Sequence, residues 1–392
     1  MLTAFIDPAH GHTRSLVAAI LCAGVCGIVF GLSMPLISLR LEHMTGSGFL
    51  VGLNGAAAAL STLLMAPLVP RFMGVRPPRQ ILALSLVAAA VLFVLFPLLP
   101  HVWVWFIVRF AVGCFMTVIF VISESWINQV VSAERRALML GVYGTALSGG
   151  FGIGGGLFTA LAHQGDIAFY VASLIFLLGV LPVLVLRGPD PQAPDEESAS
   201  LRAMIRTALS APTAIMAGLA FGAAETLVFA LMPVYAERIS LSHTEIGLVM
   251  LAVAAGALVF QIPLGWIADR IGRRVILGIS AALAAISPIL TALVGADLTV
   301  LLPLVFVQAG VTSALYTVGL SLLGERFTGG SIASANAAFI FAYGLGSLIA
   351  PPTGGVMMDV SGPAGLLAVL SGIAAAYLAL ILVRSWMTAR GS

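Results

Sequence analysis

Twelve runs of mostly apolar residues, each long enough to cross a bilayer, dominate this sequence of 392 residues. A bilayer core of about 30 Å requires roughly 20 apolar residues in a helix. The runs are continuous and not alternating, which favours helices over a β-barrel. The sequence therefore predicts an all-α membrane protein with twelve transmembrane helices. The runs cover residues 16–39, 49–70, 80–99, 102–126, 137–163, 167–186, 211–235, 246–267, 275–296, 299–323, 331–358 and 363–384.

Composition excludes the soluble classes of protein. Hydrophobic residues make up 60% of the chain and charged residues 9%, against roughly 45–50% and about 25% in soluble proteins. So few charges cannot cover a soluble domain, and they do not suit a nucleic-acid-binding protein. We therefore expect the lipid bilayer as a partner and no nucleic acid. The first run is too long for a signal-peptide core and lacks a cleavage-type sequence after it, so we expect a retained helix.

The arginines predict how the chain is oriented. All 18 basic residues are Arg. If the N-terminus is inside, fifteen of them fall in cytoplasmic segments, two (Arg40 and Arg238) fall in outside loops, and Arg109 lies within a span. Such a bias toward the cytoplasmic side is the usual pattern in membrane proteins. We therefore expect a multi-pass protein of the cell inner membrane with both termini in the cytoplasm.

The two halves of the chain resemble one another. Short pairs recur at a spacing of 200 residues, namely Tyr143-Gly144 with Tyr343-Gly344 and Gly154-Gly155 with Gly354-Gly355. A polar segment with prolines and an acidic run separates the halves. We expect a six-helix bundle over 1–187, a cytoplasmic linker over 188–207 and a second six-helix bundle over 208–392. Duplicated halves of this kind are typical of transporters, in which the substrate site lies between the halves near midplane.

The sharpest motif joins the eighth and ninth spans and reads Gly265-Trp-Ile-Ala-Asp269-Arg270-Ile-Gly272-Arg273-Arg274. We expect Gly265 to allow close helix approach, Asp269 to cap a helix or pair with Arg, and the last two arginines to hold the turn at the cytoplasmic side. The motif resembles the G-x-x-x-D-R-x-G-R-R loop of the major facilitator superfamily. That resemblance implies the fold of two six-helix repeats and a latch function for this loop. An ordinary positive-inside loop is the plainer interpretation.

Three other stretches carry the same resemblance. Arg109-Phe-Ala-Val-Gly113 is similar to the R-x-x-Q-G pattern of the family's fourth span, with Val112 in place of Gln. The sequence Glu124-Ser-Trp126, together with the seventh span around Glu225, resembles the YcaD-like bacterial permeases of this superfamily. The glycine-rich segment 149–156 resembles an antiporter signature, and close helix packing is its plainer interpretation.

Three charged residues lie within spans, where a charge is unfavourable by at least about 2.5 kcal/mol. Glu225, midway along the seventh span, is our first candidate for a proton-coupling group, and Glu124 is the second. We expect Arg109 to bind an anionic substrate group or to act on a carboxylate. The alternatives are a structural hydrogen bond for Glu225, contact of Glu124 with Arg135 or Arg136, and an Arg109 that reaches out to the membrane surface.

Polar side chains fall mainly outside spans three, six, nine and twelve, and in the superfamily's fold those four spans are peripheral. Eight residues of the remaining spans are expected to shape a substrate pocket: Asn54, Phe120, Trp126, Gln261, Gln308, Tyr316, Asn336 and Tyr343.

No cofactor, metal site or enzyme activity is predicted. Cys22 and Cys26 lie four residues apart, where a metal pair is conceivable, but small core residues are the favoured interpretation. All six histidines fall in end segments or outside loops, and no nucleophile–base pair is visible. No Walker A pattern occurs, so ATP is not the expected energy source.

These patterns predict a proton-coupled secondary active transporter that works by alternating access, as a monomer. Export of a small amphipathic compound is slightly favoured because the predicted cavity is apolar. Proton-driven uptake of a small organic solute is the alternative, and a membrane sensor or scaffold without transport is a further one. A scaffold has no reason to keep Arg109 and Glu225 in the bilayer.

Overall fold

The computed structural model describes residues 10–131, 133–161, 164–186, 209–327 and 330–390. Within these ranges the chain is helical and contains no strand. The all-α prediction is therefore confirmed. The expected linker over 188–207 lies outside the described residues, and so do the side chains of Arg135 and Arg136.

The described helices follow the apolar runs closely. In the first sequence half they are α1 (His10–Thr45), α2 (Gly48–Met65), α3 (Val69–Val75), α4 (Pro78–Leu98), α5 (Val102–Val130), α6 (Ala133–Leu161) and α7 (Ile167–Val185). In the second half they are α8 (Pro212–Arg238), α9 (His243–Ile271), α10 (Arg273–Val294), α11 (Leu298–Arg326), α12 (Gly330–Ser361) and α13 (Ala364–Arg390). Eleven stretches of the described chain are long and apolar enough to cross a membrane. The remaining predicted run corresponds to α6, which is 29 residues long.

The second predicted run, residues 49–70, does not form one continuous helix. α2 ends at Met65, a 3-10 turn covers Ala66–Leu68, and the short α3 follows. Pro67 explains the break, because proline lacks an N–H and its ring clashes with the preceding turn of an α-helix.

Local sequence signals set several helix ends in the second half. Ser242 and Glu245 form a reciprocal capping box at the start of α9, which satisfies two N–H groups that a helix start leaves open. Asp297 caps α11, accepting hydrogen bonds from the Thr299 hydroxyl at 2.7 Å and from its N–H at 3.0 Å. These bonds lower the pKa of the Asp297 carboxyl below its usual range.

Contacts divide the described chain into two units. One contains residues 10–36 and 60–186, and the other contains residues 37–59 and 209–390. The division assigns the end of α1 and most of α2 to the second unit, although their sequence belongs to the first half.

Each unit contains a pair of helices whose backbones touch through glycines. In the first unit, a side-chain carbon on Gly27 of α1 or Gly150 of α6 would overlap backbone of the other helix. In the second unit, the same holds for Gly222 of α8 and Gly346 of α12. Small residues are what allow membrane helices to approach so closely. The repeated pairing of the first and fifth spans, and of the seventh and eleventh, supports the predicted duplication.

Candidate functional site

Glu225 lies at the midpoint of α8 and is half-buried. One turn earlier, Gly222 lies against the backbone of α12 at Tyr343. This close approach brings the Tyr343 hydroxyl to Glu225, to which it donates a hydrogen bond of 2.7 Å. Ser347, one turn further along α12, donates to the carbonyl of Gly222 at 3.1 Å. Two helices that are far apart in the sequence, α8 and α12, thus position one carboxylate.

Tyr343, the hydrogen-bond partner of this carboxylate, belongs to a cluster of aromatic rings. The Phe221 ring lies 5.1 Å from the Tyr316 ring and 5.8 Å from the Tyr343 ring, measured between centroids. Tyr316 also meets Phe339 edge-on at 5.5 Å. These distances are typical of favourable aromatic pairs. The cluster joins α8, α11 and α12.

A pocket of about 490 Å³, counted with its open side, lies among α8, α9 and α11 of the second unit. Among the described residues that line it, Glu225 is the only ionisable one. Gln308, Thr312 and Ser313 are the other polar residues, and the remaining nine are apolar. The apolar lining consists of Phe221, Ala224, Val228, Phe229, Met232, Val253, Ala257, Val305 and Ala309.

The polar groups of this pocket are unequally satisfied. Ser313 donates to two backbone carbonyls, at 2.8 and 3.2 Å, and the Gln308 amide nitrogen faces the Thr312 hydroxyl at 3.5 Å. The buried Oε1 of Gln308 has no hydrogen-bond partner among the described residues. Within the same described part of the chain, no cation pairs with Glu225. Among the described residues of this pocket, Oε1 of Gln308 is therefore the buried side-chain atom that is left without a partner.

Arg109 is the second intramembrane charge and belongs to the first unit. Its side chain is 5% exposed. One guanidinium nitrogen lies 2.8 Å from the sulfur of Met34 on α1, and the buried Nε has no hydrogen-bond partner in the ranges that the structure describes. A thioether is a weak acceptor, so the charge of Arg109 is poorly compensated in this conformation.

The other predicted residues of α5 take different positions. Phe120 is half-buried and stacks on Phe30 of α1 at 6.0 Å. Glu124 is exposed, whereas Trp126 is fully buried. The Arg79 guanidinium lies 5.5 Å from the centre of the Trp126 ring, a geometry typical of a cation–π contact.

Three predicted amides do not line the pocket of the second unit. Asn54 is buried with its amide nitrogen unpartnered among the described residues, Asn336 is half-buried, and Gln261 is exposed. The structure therefore brings together Glu225, Gln308, Tyr316 and Tyr343 out of the predicted set.

The loop motif forms an ion-pair cluster, here called the Asp269 cluster, made of Asp269, Arg273 and Glu325. Arg273 pairs with Asp269 at 3.0 Å and with Glu325 of α11 at 3.1 Å, and it donates to the Ser321 carbonyl at 2.7 Å. Gly272, with φ of +105°, makes the turn between α9 and α10. Such a φ favours glycine because it has no side chain.

Three residues of the motif, Arg270, Arg274 and Gly265, lie outside the Asp269 cluster. Arg270 lies 3.5 Å from the centre of the Trp266 ring, and Arg274 is exposed. The close helix approach expected at Gly265 is wrong for the described residues, since a side-chain carbon there would meet no atom within 4 Å.

Sequence reasoning missed a second ion-pair cluster, here called the Arg238 cluster, made of Glu42, Arg238 and Asp359. Arg238 at the end of α8 pairs with Glu42 of α1 at 2.7 Å and with Asp359 of α12 at 3.0 Å. The Asp359 carboxylate also accepts the N–H groups of Gly48 and Phe49, at 2.7 and 2.9 Å, and so caps α2. The only signal of this cluster in the sequence is an acidic residue shortly after each of two apolar runs, namely Glu42 and Asp359.

Comparison with known proteins identifies the family. The profile of the Major Facilitator Superfamily matches residues 19–242 and 214–390, and the chain belongs to this superfamily of multi-pass membrane transporters. The uncharacterized MFS-type transporter YfkF of Bacillus subtilis (strain 168) is 25% identical over 383 residues, which cover 94% of this chain and 96% of the relative. The uncharacterized MFS-type transporter YcaD of Escherichia coli O139:H28 is 24% identical over 283 residues, which cover 71% of this chain and 72% of the relative.

Solved structures agree with this assignment. The nucleoside transporter NupG superimposes with a TM-score of 0.74 at 12% identity, over 95% of this chain and 98% of that one. A bacterial homolog of the human lysosomal transporter Spinster, inward-facing and occupied, gives a TM-score of 0.75 at 14% identity, over 98% of both chains. These likenesses show the fold alone, and they confirm the predicted pair of six-helix repeats.

Proposed function

We propose that this chain is a proton-coupled secondary active transporter that moves a small molecule across the cell inner membrane by alternating access. Export of an amphipathic compound is the favoured direction. The observation that carries the proposal is Glu225, a half-buried carboxylate at the midpoint of a membrane helix, beside a pocket and without a cation partner among the described residues.

A carboxylate in this position supports proton coupling for a physical reason. The ionised form is unfavourable in an apolar surrounding unless a cation or hydrogen-bond donors compensate it. Tyr343 supplies one donor, which leaves the other oxygen for a proton or a ligand. A change in access to the pocket then changes the free energy of the charged form, and that change links proton binding to the conformational cycle.

Arg109 and Glu124 have supporting functions in this proposal. Arg109 is buried with an open Nε donor among the described residues, so it takes an anionic group of the substrate or a carboxylate during the cycle. Glu124 is the alternative proton-coupling residue. Gln308, Tyr316 and Tyr343 bind the substrate in the second unit.

The other residues of the substrate path stay predictions from the sequence: Asn54, Phe120, Trp126, Gln261 and Asn336.

The favoured direction rests on the pocket lining. Nine of its thirteen residues are apolar, which suits a ligand with a large hydrophobic part. The arginine bias supports cytoplasmic termini in the inner membrane. In that orientation, the Asp269 cluster lies on the cytoplasmic side and acts as the latch, and the protein works as a monomer.

The test uses purified protein in proteoliposomes that contain a trapped pH indicator. A panel of amphipathic compounds is added under an imposed pH gradient, and proton flux together with compound accumulation is measured. Glu225→Gln keeps the shape of the side chain and removes its charge, so accumulation driven by the gradient should be lost while downhill exchange remains. Glu245→Gln removes a carboxylate from the capping box of α9, outside the pocket, and should keep the coupling.

The competing explanation, a structural hydrogen bond, predicts lower stability with coupling intact, because Gln also accepts a hydrogen bond. Gradient-driven transport by the Gln variant at the wild-type rate would remove Glu225 from the mechanism and move the proposal to Glu124.

A further inference from the structure

We infer that the pocket among α8, α9 and α11 binds a hydrophobic organic cation, an amine in its protonated form, with Glu225 as the counter-charge and Gln308 as a second acceptor. This inference names the substrate class and rests on the proposed function of the same site.

The charge in the pocket has one sign. Glu225 is the only ionisable residue among the thirteen that line it, and the described residues include no cation paired with it. Its one hydrogen bond comes from a neutral phenol. A cationic ligand would therefore meet an uncompensated carboxylate, whereas an anionic ligand would meet repulsion and no positive group.

The hydrogen-bond inventory points the same way. The hydroxyl of Ser313 donates to backbone carbonyls, and the hydroxyl of Tyr343 donates to Glu225. Gln308 is 7% exposed and its Oε1 has no partner among the described residues. A buried acceptor without a partner is unfavourable, and it calls for a ligand that donates. A protonated amine donates N–H groups to both Oε1 of Gln308 and the carboxylate.

The lining of the pocket suits the rest of such a ligand. Phe221 and Phe229 contribute aromatic surface and Met232 contributes a polarizable thioether. Aromatic faces attract organic cations, and more strongly when both are removed from water.

The experiment measures binding to the purified full-length protein by isothermal titration calorimetry. The probes share a biphenyl skeleton and differ in charge: biphenylmethylamine is a cation, biphenylmethanol is neutral and biphenylcarboxylate is an anion. We expect the amine to bind at least about tenfold more tightly than the alcohol, because a hydrogen bond to a charged group is stronger than one between neutral groups. The carboxylate should bind most weakly.

Two variants assign this preference to the pocket. Glu225→Gln should remove the preference for the amine over the alcohol. Glu245→Gln removes a carboxylate outside the pocket, at the exposed start of α9, and should change neither affinity. Should the Glu225 variant fail to fold, Gln308→Met answers the question separately. It should weaken the primary amine several-fold but not the biphenylmethyl-trimethylammonium ion, which has no N–H to donate.

Equal affinity for amine and alcohol, no saturable binding of the amine, or a preference that survives in Glu225→Gln would each overturn the inference. These outcomes are separable from a failure of the proposed function. If the amine binds through Glu225 but no proton flux accompanies its transport, the substrate class stands and proton coupling fails. If another compound shows Glu225-dependent proton coupling while the amine does not bind, the reverse holds.

Discussion

The second unit has one ion-pair cluster at the end of α8 and another at the end of α9, and in both an arginine lies between two carboxylates. In the Arg238 cluster, the side chains of Arg238, Glu42 and Asp359 are 19%, 11% and 27% exposed. In the Asp269 cluster, the two carboxylates are 64% and 54% exposed. The first cluster joins α1, α2, α8 and α12, whereas the second joins three helices that follow one another in sequence.

The difference in burial separates two uses of the same chemistry. Ion pairs in water contribute about 0–1 kcal/mol, so the Asp269 cluster can open and close with little change in free energy. Such a pair suits a latch that must release in every cycle. The Arg238 cluster is more shielded, and one oxygen of Glu42 is buried without a partner among the described residues. Its main expected effect is on the stability of the unit.

Arg238→Gln should have the largest effect on stability. The change leaves two shielded carboxylates without a counter-charge, and we expect a loss of about 2–3 kcal/mol, below the roughly 3–5 kcal/mol for a fully buried pair. Unfolding of the purified protein in mixed micelles with SDS measures it. Arg76→Gln, at an exposed arginine before α4, is the matched control and should be neutral. If Arg238→Gln unfolds like Arg76→Gln, the Arg238 cluster is a surface ion pair, as the Asp269 cluster is.

Asp359→Asn should have a smaller effect on stability. The amide keeps one acceptor oxygen, but the charge that binds Arg238 and the N–H groups of Gly48 and Phe49 is lost. Loss of a helix cap is worth about 0.5–2 kcal/mol, and we expect about 1–2 kcal/mol in the same unfolding assay. Slower hydrogen exchange of α2 in the variant than in the wild type would contradict the capping function.

Asp269→Asn should change stability least, by about 0.5 kcal/mol or less, because its pair with Arg273 is exposed. Transport should nevertheless fall, since the charge-assisted bond between α9 and α10 is removed from the conformational cycle. Proteoliposome transport rates and the unfolding assay, run on the same preparation, separate the two effects. Normal transport would reduce the motif to a signal for membrane topology.

The fold was largely predictable because apolar runs of spanning length leave few alternatives in a bilayer. The site was predictable only as separate residues. Glu225 stood out by its position, but its partner Tyr343 lies 118 residues away in the sequence. Which side chain reaches a carboxylate depends on the rotation of two packed helices, and one residue changes that rotation by about 100°.

The Arg238 cluster was missed for a related reason. Glu42 and Asp359 follow apolar runs, where an acidic residue is ordinary, and nothing in the sequence connects them across 196 and 121 residues to Arg238. The motif around Asp269 was found because its residues are neighbours in the sequence, whereas Glu325, the third member of the Asp269 cluster, is distant and was not. Local signals are therefore the part of a site that a single sequence can supply.

The paired glycines have a consequence for how this gene can vary. Every missense change of one nucleotide in a glycine codon adds a side chain. In the glycine-rich segment of α6, such a change at Gly150 or Gly154 would place that side chain on the backbone of α1, whereas at Gly149, Gly155 or Gly156 it would meet no described atom within 4 Å. Two of these codons are thus closed to substitution by packing and the other three are not. A segment that looks uniform in sequence therefore has one packed stripe, on which Gly150 and Gly154 lie about one helical turn apart, and other glycines at which packing against the described residues does not exclude a side chain.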